Sequence, residues 1–162
     1  MLFRSTRVVS EIQKVNSAIG DVYAFLSDFT KIGKMIDMAR QMGAQTGEIE
    51  GHSVSEIADK IENVQTTVDA CTFTIKGLGE MGVKIAEKEE PKLIKLQGDG
   101  RVPFDFEVWI QLLDNGPYDT RMRITLEADL NMMFKMLLKG KLEKGINQLA
   151  EGLAKIPYGY MR

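Results

Sequence analysis

The sequence predicts an α+β fold: a seven-stranded, curved antiparallel sheet around one long C-terminal helix, with two short helices after the first strand. Three observations predict it. A helical-hairpin pattern occupies Ser17 to Ala39. A series of strands without helical interruption then runs from Asn63 to Leu130. One apolar-striped helix, Met132 to Ile156, closes the chain. A sheet that is apolar on one face must cover that face, and a striped helix does so. The product is a container walled mostly by hydrocarbon.

Each element has a local reason. Residues 3–15 read as a strand in which Val8, Val9, Ile12 and Val15 alternate imperfectly with polar neighbours, a pattern that fits a bulge. Ser17 carries a hydroxyl suited to capping the next helix. That helix places Val22, Phe25, Leu26 and Phe29 on one face. Ile32, Met35, Ile36 and Ala39 repeat the spacing in a second short helix. Residues 40–54, with Gly43, Gly47 and Gly51, read as loop. Ser53 and Glu56 have capping-box spacing and predict a short helix from Val54 to Ile61. This excursion is either a lid over a cavity mouth or an insertion packed on the surface.

Five turns then divide six strands, 63–69, 71–77, 80–88, 92–98, 102–113 and 119–130. The turns are Asp69-Ala70, Gly77-Leu78-Gly79, Glu90-Pro91, Gly98-Asp99-Gly100 and Asp114-Asn115-Gly116-Pro117. Links this short pair neighbouring strands antiparallel. The last two strands alternate cleanly. Phe104, Phe106, Val108, Ile110 and Leu112 oppose Asp105, Glu107, Trp109, Gln111 and Leu113. Met122, Ile124, Leu126, Ala128 and Leu130 oppose Arg121, Arg123, Thr125, Glu127 and Asp129. A one-residue slip would turn the apolar set outward, so the pattern specifies register. Asn131 or Asp129 can cap the final helix, whose stripe is Phe134, Leu138, Leu142, Ile146, Leu149 and Leu153. Gly140, Gly145 and Gly152 each weaken that helix by up to ~1 kcal/mol against alanine. Small residues also let a helix approach a sheet, or leave room beside it. Pro157 ends the element.

The chain has 162 residues, the size of one domain over 1–162 that buries roughly 70% of its unfolded surface. A net charge of −2, with basic residues scattered among acids, predicts no broad electrostatic attraction to nucleic acid or to an anionic membrane, and no nucleic-acid partner. Cys71 is the sole cysteine, so neither an intramolecular disulfide nor a multi-cysteine zinc site can form. The first residues, Met1-Leu2-Phe3-Arg4-Ser5, lack the apolar core of a signal peptide. No apolar run approaches the ~20 residues of an integral membrane segment. A cytoplasmic location is the simplest expectation.

The run Val15-Asn16-Ser17-Ala18-Ile19-Gly20-Asp21-Val22-Tyr23 resembles the helix entry of the helix-grip family, also called START-like or SRPBCC, with its bacterial polyketide-cyclase-like branch. Ser17-Ala18 stands where family members often have Ala-Pro, and Tyr23 where they have Trp. Leu26-Ser27-Asp28 is similar to the family's Leu-x-Asp, and Gly77-Leu78-Gly79 to its glycine-rich loop. The order of elements matches along nearly the whole chain except 40–62, where a short link is usual. The resemblance implies an apolar cavity between sheet and long helix. Family members bind lipids, sterols, polyketides, quinones or hormones; a minority are cyclases or dehydratases, and others are protein-binding adaptors.

On that plan the strands supply the cavity wall through Phe73, Ile75, Val83, Ile85, Ile94 and Leu96. Phe104, Phe106, Val108 and Ile110 continue it, followed by Met122, Ile124 and Leu126. Met133, Leu137 and Ile146 would close it from the helix. No catalytic residue, metal ligand or cofactor is assigned. His52, the only histidine, reads as a solvated loop residue. Cys71 shares parity with Phe73 and Ile75 and reads as a small buried thiol. Asp105 and Glu107 share a face, but it is the solvated one. Trp109 on that face reads either as a single exposed aromatic or, with Leu113, as part of a homodimer contact. Met132, Met133 and Met136 suit either a pliable cavity entrance or ordinary core packing. Gly77, Gly79 and Gly82 make no nucleotide loop, because no helix follows them. Three readings follow: a carrier or sensor of a small hydrophobic ligand, a cyclase- or dehydratase-type enzyme using the same cavity, and a protein-interaction module.

Overall fold

The structure, a computed structural model, describes residues 6–46, 61–77, 79–102, 104–138 and 140–160. Its strands are β1 (Thr6–Val9), β2 (Gln13–Val15), β3 (Ile61–Thr66), β4 (Ala70–Ile75), β5 (Gly79–Glu89), β6 (Leu93–Gly98), β7 (Phe106–Asp114) and β8 (Thr120–Ala128). Its helices are α1 (Ile19–Leu26), α2 (Phe29–Thr46), α3 (Met132–Leu138) and α4 (Lys141–Ala154), followed by a 3-10 turn over Tyr158–Tyr160.

The strands form one antiparallel sheet in the order β1-β8-β7-β6-β5-β4-β3, with β2 also pairing to β8. β1 and β2 are thus two halves of the expected first strand. Ser10 causes the interruption. Its amide bonds to the Ile124 carbonyl, and its Oγ accepts the Ile124 amide at 2.9 Å, so a side chain stands in for part of the ladder. From β3 onward each strand pairs with the next through short turns. The register holds the expected parity. Phe106, Ile110 and Leu112 are buried on β7, as are Met122, Ile124 and Ala128 on β8, while Gln111, Leu113 and Arg123 are exposed.

α4 packs across β1, β2 and β8, and α1 packs on β7 and the C-terminal 3-10 turn. The main core lies between them. It contains Val15, Val22, Phe25, Leu26, Ile94, Met122, Ile124, Ile146, Ala150 and Tyr158. Tyr158 meets Phe25 edge-on, with ring centroids 5.2 Å apart, and its hydroxyl donates to the Leu153 carbonyl at 2.7 Å. A smaller cluster gathers Phe106, Ala128 and Leu130 with Phe104, Phe134, Leu138 and Leu142.

Four local expectations are corrected. The closing helix is two helices, because Gly140 adopts a left-handed conformation (φ 76°) that glycine tolerates and other residues resist. The second short helix is long: α2 continues to Thr46, so 40–46 is helical rather than loop. A glycine inside a helix costs only ~1 kcal/mol and does not stop it. Ser17 does not cap α1, which starts after Ala18 without a side-chain cap. Ser17 is buried instead, and its carbonyl accepts the hydroxyl of fully buried Thr120. The cap beside it belongs to α2, where Asp28 accepts the Thr30 amide at 3.0 Å. Asn131 caps α3 as expected, accepting the Phe134 amide at 2.9 Å. Ile61, expected as the end of a short helix from Val54, opens β3 instead; His52 and the rest of that expected helix lie outside the described residues.

Candidate functional site

A cavity of about 260 Å³ lies between the sheet, α2 and α4. The hairpin contributes Leu26, Phe29, Ile32, Met35 and Ile36. The sheet contributes Ile61 and Val64 of β3, Cys71 and Phe73 of β4, Val83 of β5, Leu96 of β6, and Val108 and Ile110 of β7. Leu149, Gly152, Leu153 and Ile156 complete the wall. Most elements offer a regular inward stripe, period two on β4 and β7 and three or four on the helices, while on β3 Ile61 and Val64 are three apart across an irregularity between Glu62 and Gln65. Gly152, buried in α4, lines the cavity with backbone alone.

No described lining residue carries a side-chain nitrogen or oxygen. Its heteroatoms are the Met35 and Cys71 sulfurs. Burial pushes the Cys71 thiol up to about 11, so it stays protonated at neutral pH and is a poor nucleophile. The cavity offers a ligand dispersion contacts and exclusion from water, with no acid, base or charged anchor among the described residues.

Of the residues expected in the wall, Phe73, Val83, Leu96, Val108 and Ile110 line this cavity. Ile94, Met122 and Ile124 are fully buried in the main core instead, with Ile146. Ile85 and Leu126 pack against that core from partly buried positions. Phe104 and Phe106 belong to the smaller cluster, and Phe104 stacks edge-on against Phe134. Ile75 is partly buried at the far end of β4. Met133 and Leu137 do not close the cavity: they are 65% and 58% exposed. The cause is the break at Gly140, which separates α3 from the helix that covers the sheet. The α2 and α4 residues of the wall were legible as apolar stripes, but nothing in a stripe says whether it meets a neighbour or a void.

The outer face of the sheet is polar. Lys95 places its ammonium 5.4 Å from the Trp109 ring centroid and pairs with Glu107 at 3.0 Å. Trp109 is accordingly half-buried beneath a neighbour's side chain. Arg123 donates twice to Gln111 across the β7–β8 pair. A larger groove, about 880 Å³, runs between the β2–α1 link, the β7–β8 turn and the C-terminal turn. Its lining mixes Lys14, Asp21, Glu151 and Lys155 with Tyr118 and Tyr160, so it differs in kind from the hydrocarbon-walled cavity.

No protein-family profile and no curated protein sequence matches the chain. Solved structures do. A norcoclaurine synthase point mutant from Thalictrum flavum, in complex with a transition-state analogue, matches with a TM-score of 0.62 at 12% identity, over 98% of this chain and 97% of that one. A START superfamily protein from Mycobacterium smegmatis matches with a TM-score of 0.56 at 13% identity, over 91% and 94%. A conserved protein from Geobacillus kaustophilus matches with a TM-score of 0.60 at 13% identity, over 93% of each. At these identities the likeness shows the fold: the chain has the α+β helix-grip architecture of START-like proteins. Among the described residues no helix is long and apolar enough to cross a membrane.

Proposed function

We propose that this chain is a START-like protein that holds a compact hydrophobic molecule between sheet, α2 and α4, as a carrier or sensor. The observation that carries this reading is a wall without a single charged side chain, or any side-chain nitrogen or oxygen, among its described residues. An apolar cavity of about 150 Å³ accepts benzene, so by proportion this one accepts roughly ten carbon atoms. That size favours an isoprenoid- or polyketide-like molecule over a two-chain lipid. Transfer of about ten carbons is worth roughly 8 kcal/mol before association costs, so affinity no tighter than about micromolar is expected. The Thalictrum flavum neighbour is a synthase, and one fold hosts many activities. The described wall here offers no carboxylate, imidazole or amine, and its one thiol stays protonated at neutral pH, which supports binding over conversion.

The test is gentle purification, denaturing extraction and mass spectrometry, alongside thermal-shift measurements with apolar molecules of graded size. Retention of, or stabilisation by, compact molecules is the expected result. A blank in both experiments would sink the reading, and a preference for long-chain lipids would overturn the size argument.

A further inference from the structure

We infer that α3 is a docking element for an anionic lipid surface. The helix has seven residues, Met132–Leu138, and all but Lys135 are apolar. Phe134 and Leu138 turn inward onto Phe104 and the smaller core cluster. The rest point out: Met132 is 73% exposed, Met133 65%, Met136 74% and Leu137 58%. At 100° per residue these four side chains form one continuous arc, so this is a patch and not scattered single exposures. A helix apolar all round belongs in a core or against a lipid phase, and this one is only half covered by protein.

Charge selects the lipid partner. From Asn131 to Lys144 the sequence carries four lysines, Lys135, Lys139, Lys141 and Lys144, against one acid, Glu143, in a chain of net charge −2. Lysines that follow closely in sequence on an outward apolar arc suit an interface where side chains enter the acyl boundary and ammonium groups meet phosphates. At about 1.5 Å per residue α3 is roughly 10 Å long, so it lies in the interface and does not span it. A second protein copy fits less well. Stable protein interfaces use about 20–30 residues a side, whereas a lipid surface needs no complementary patch.

The experiment is cosedimentation of the full chain with phosphatidylcholine vesicles, with and without phosphatidylglycerol. Binding is expected to the anionic vesicles and to weaken as salt is raised. K141Q/K144Q should reduce partitioning about thirtyfold at low salt. M133E/M136E should reduce it at least about tenfold while leaving the melting temperature unchanged, since both side chains are already exposed. As a measurement independent of that variant's folding, a nitroxide at M136C on a C71S background should become accessible to a lipid-soluble quencher when vesicles are added. Failure to bind anionic vesicles at low salt would overturn the inference. So would a label that stays in water, or self-association through the same methionines without effect on vesicle binding.

Discussion

Replacing Val108 with phenylalanine asks whether the space between sheet and helices is real. Val108 lies on β7, faces the cavity, and is flanked in register by Leu96 and Leu126, both only partly buried. Each Å³ of apolar void that a side chain fills is worth about 24 cal/mol. The larger ring fills on the order of 50 Å³, which is worth about 1 kcal/mol. Phenylalanine also suits a strand. V108F should therefore stabilise the ligand-free protein by about 1 kcal/mol, a rise of roughly 2–4 °C in Tm for a chain of this size. The control is Ile94→Phe, on the adjacent strand and fully buried in the packed core. There the added volume has nowhere to go, and overpacking should cost about 1–3 kcal/mol. Urea denaturation of ligand-stripped protein reads both. Stabilisation by an added ligand, which grows with the logarithm of its concentration, should shrink in V108F because the space is taken. If V108F loses stability as I94F does, the cavity is filled by protein and the binding proposal fails with it.

Other outcomes follow from single sites. Alkylation of Cys71 should be slow at neutral pH and still accelerate above pH 9, because the thiol pKa is raised from 9.0 to about 11; mass spectrometry of iodoacetamide-treated protein checks this. The folded state keeps that proton when the unfolded chain has lost it, so this thiol makes stability fall as pH rises from about 9 toward 11. Gly98→Ala should destabilise by about 1–3 kcal/mol, because its Cβ would stand 2.6 Å from the Phe106 ring; a melting curve decides it. The Asp119 carboxylate, hydrogen-bonded by Arg121 and Asn115, should titrate by NMR near pH 2 rather than 3.8. Its contribution to stability is present above the ordinary value and lost as pH falls through about 2. Asp119→Asn should loosen the β7–β8 turn and remove that step.

Sheet order and face were readable in the chain because strand alternation is local. Phe106, Ile110, Met122 and Ile124 declare an inward face whatever covers it, and the turns at Glu90-Pro91 and Asp114-Asn115-Gly116 limit which strands can pair. Helix ends were less legible. Gly140 and Gly43 are the same residue type in similar apolar patterns, yet one divides a helix and the other lies within one. The candidate site was legible only as a set of inward residues. Ile94 and Leu96 are neighbours in parity on β6, but the first is sealed in the core and the second faces the cavity.

The linear pattern of this chain carries much of its architecture: which faces are apolar, which consecutive strands adjoin, and that one helix must lie across the sheet; the pairing of β1 and β2 with β8 belongs to the tertiary structure. Where the walls touch and where they part is set by packing in three dimensions. A gap depends on the distance between α2, α4 and the sheet, and on small residues such as Gly152 in its wall. For the same reason the methionines of α3 stand in solvent. Hydropathy demanded cover for them, and the turn at Gly140 carried them past the surface that could have supplied it.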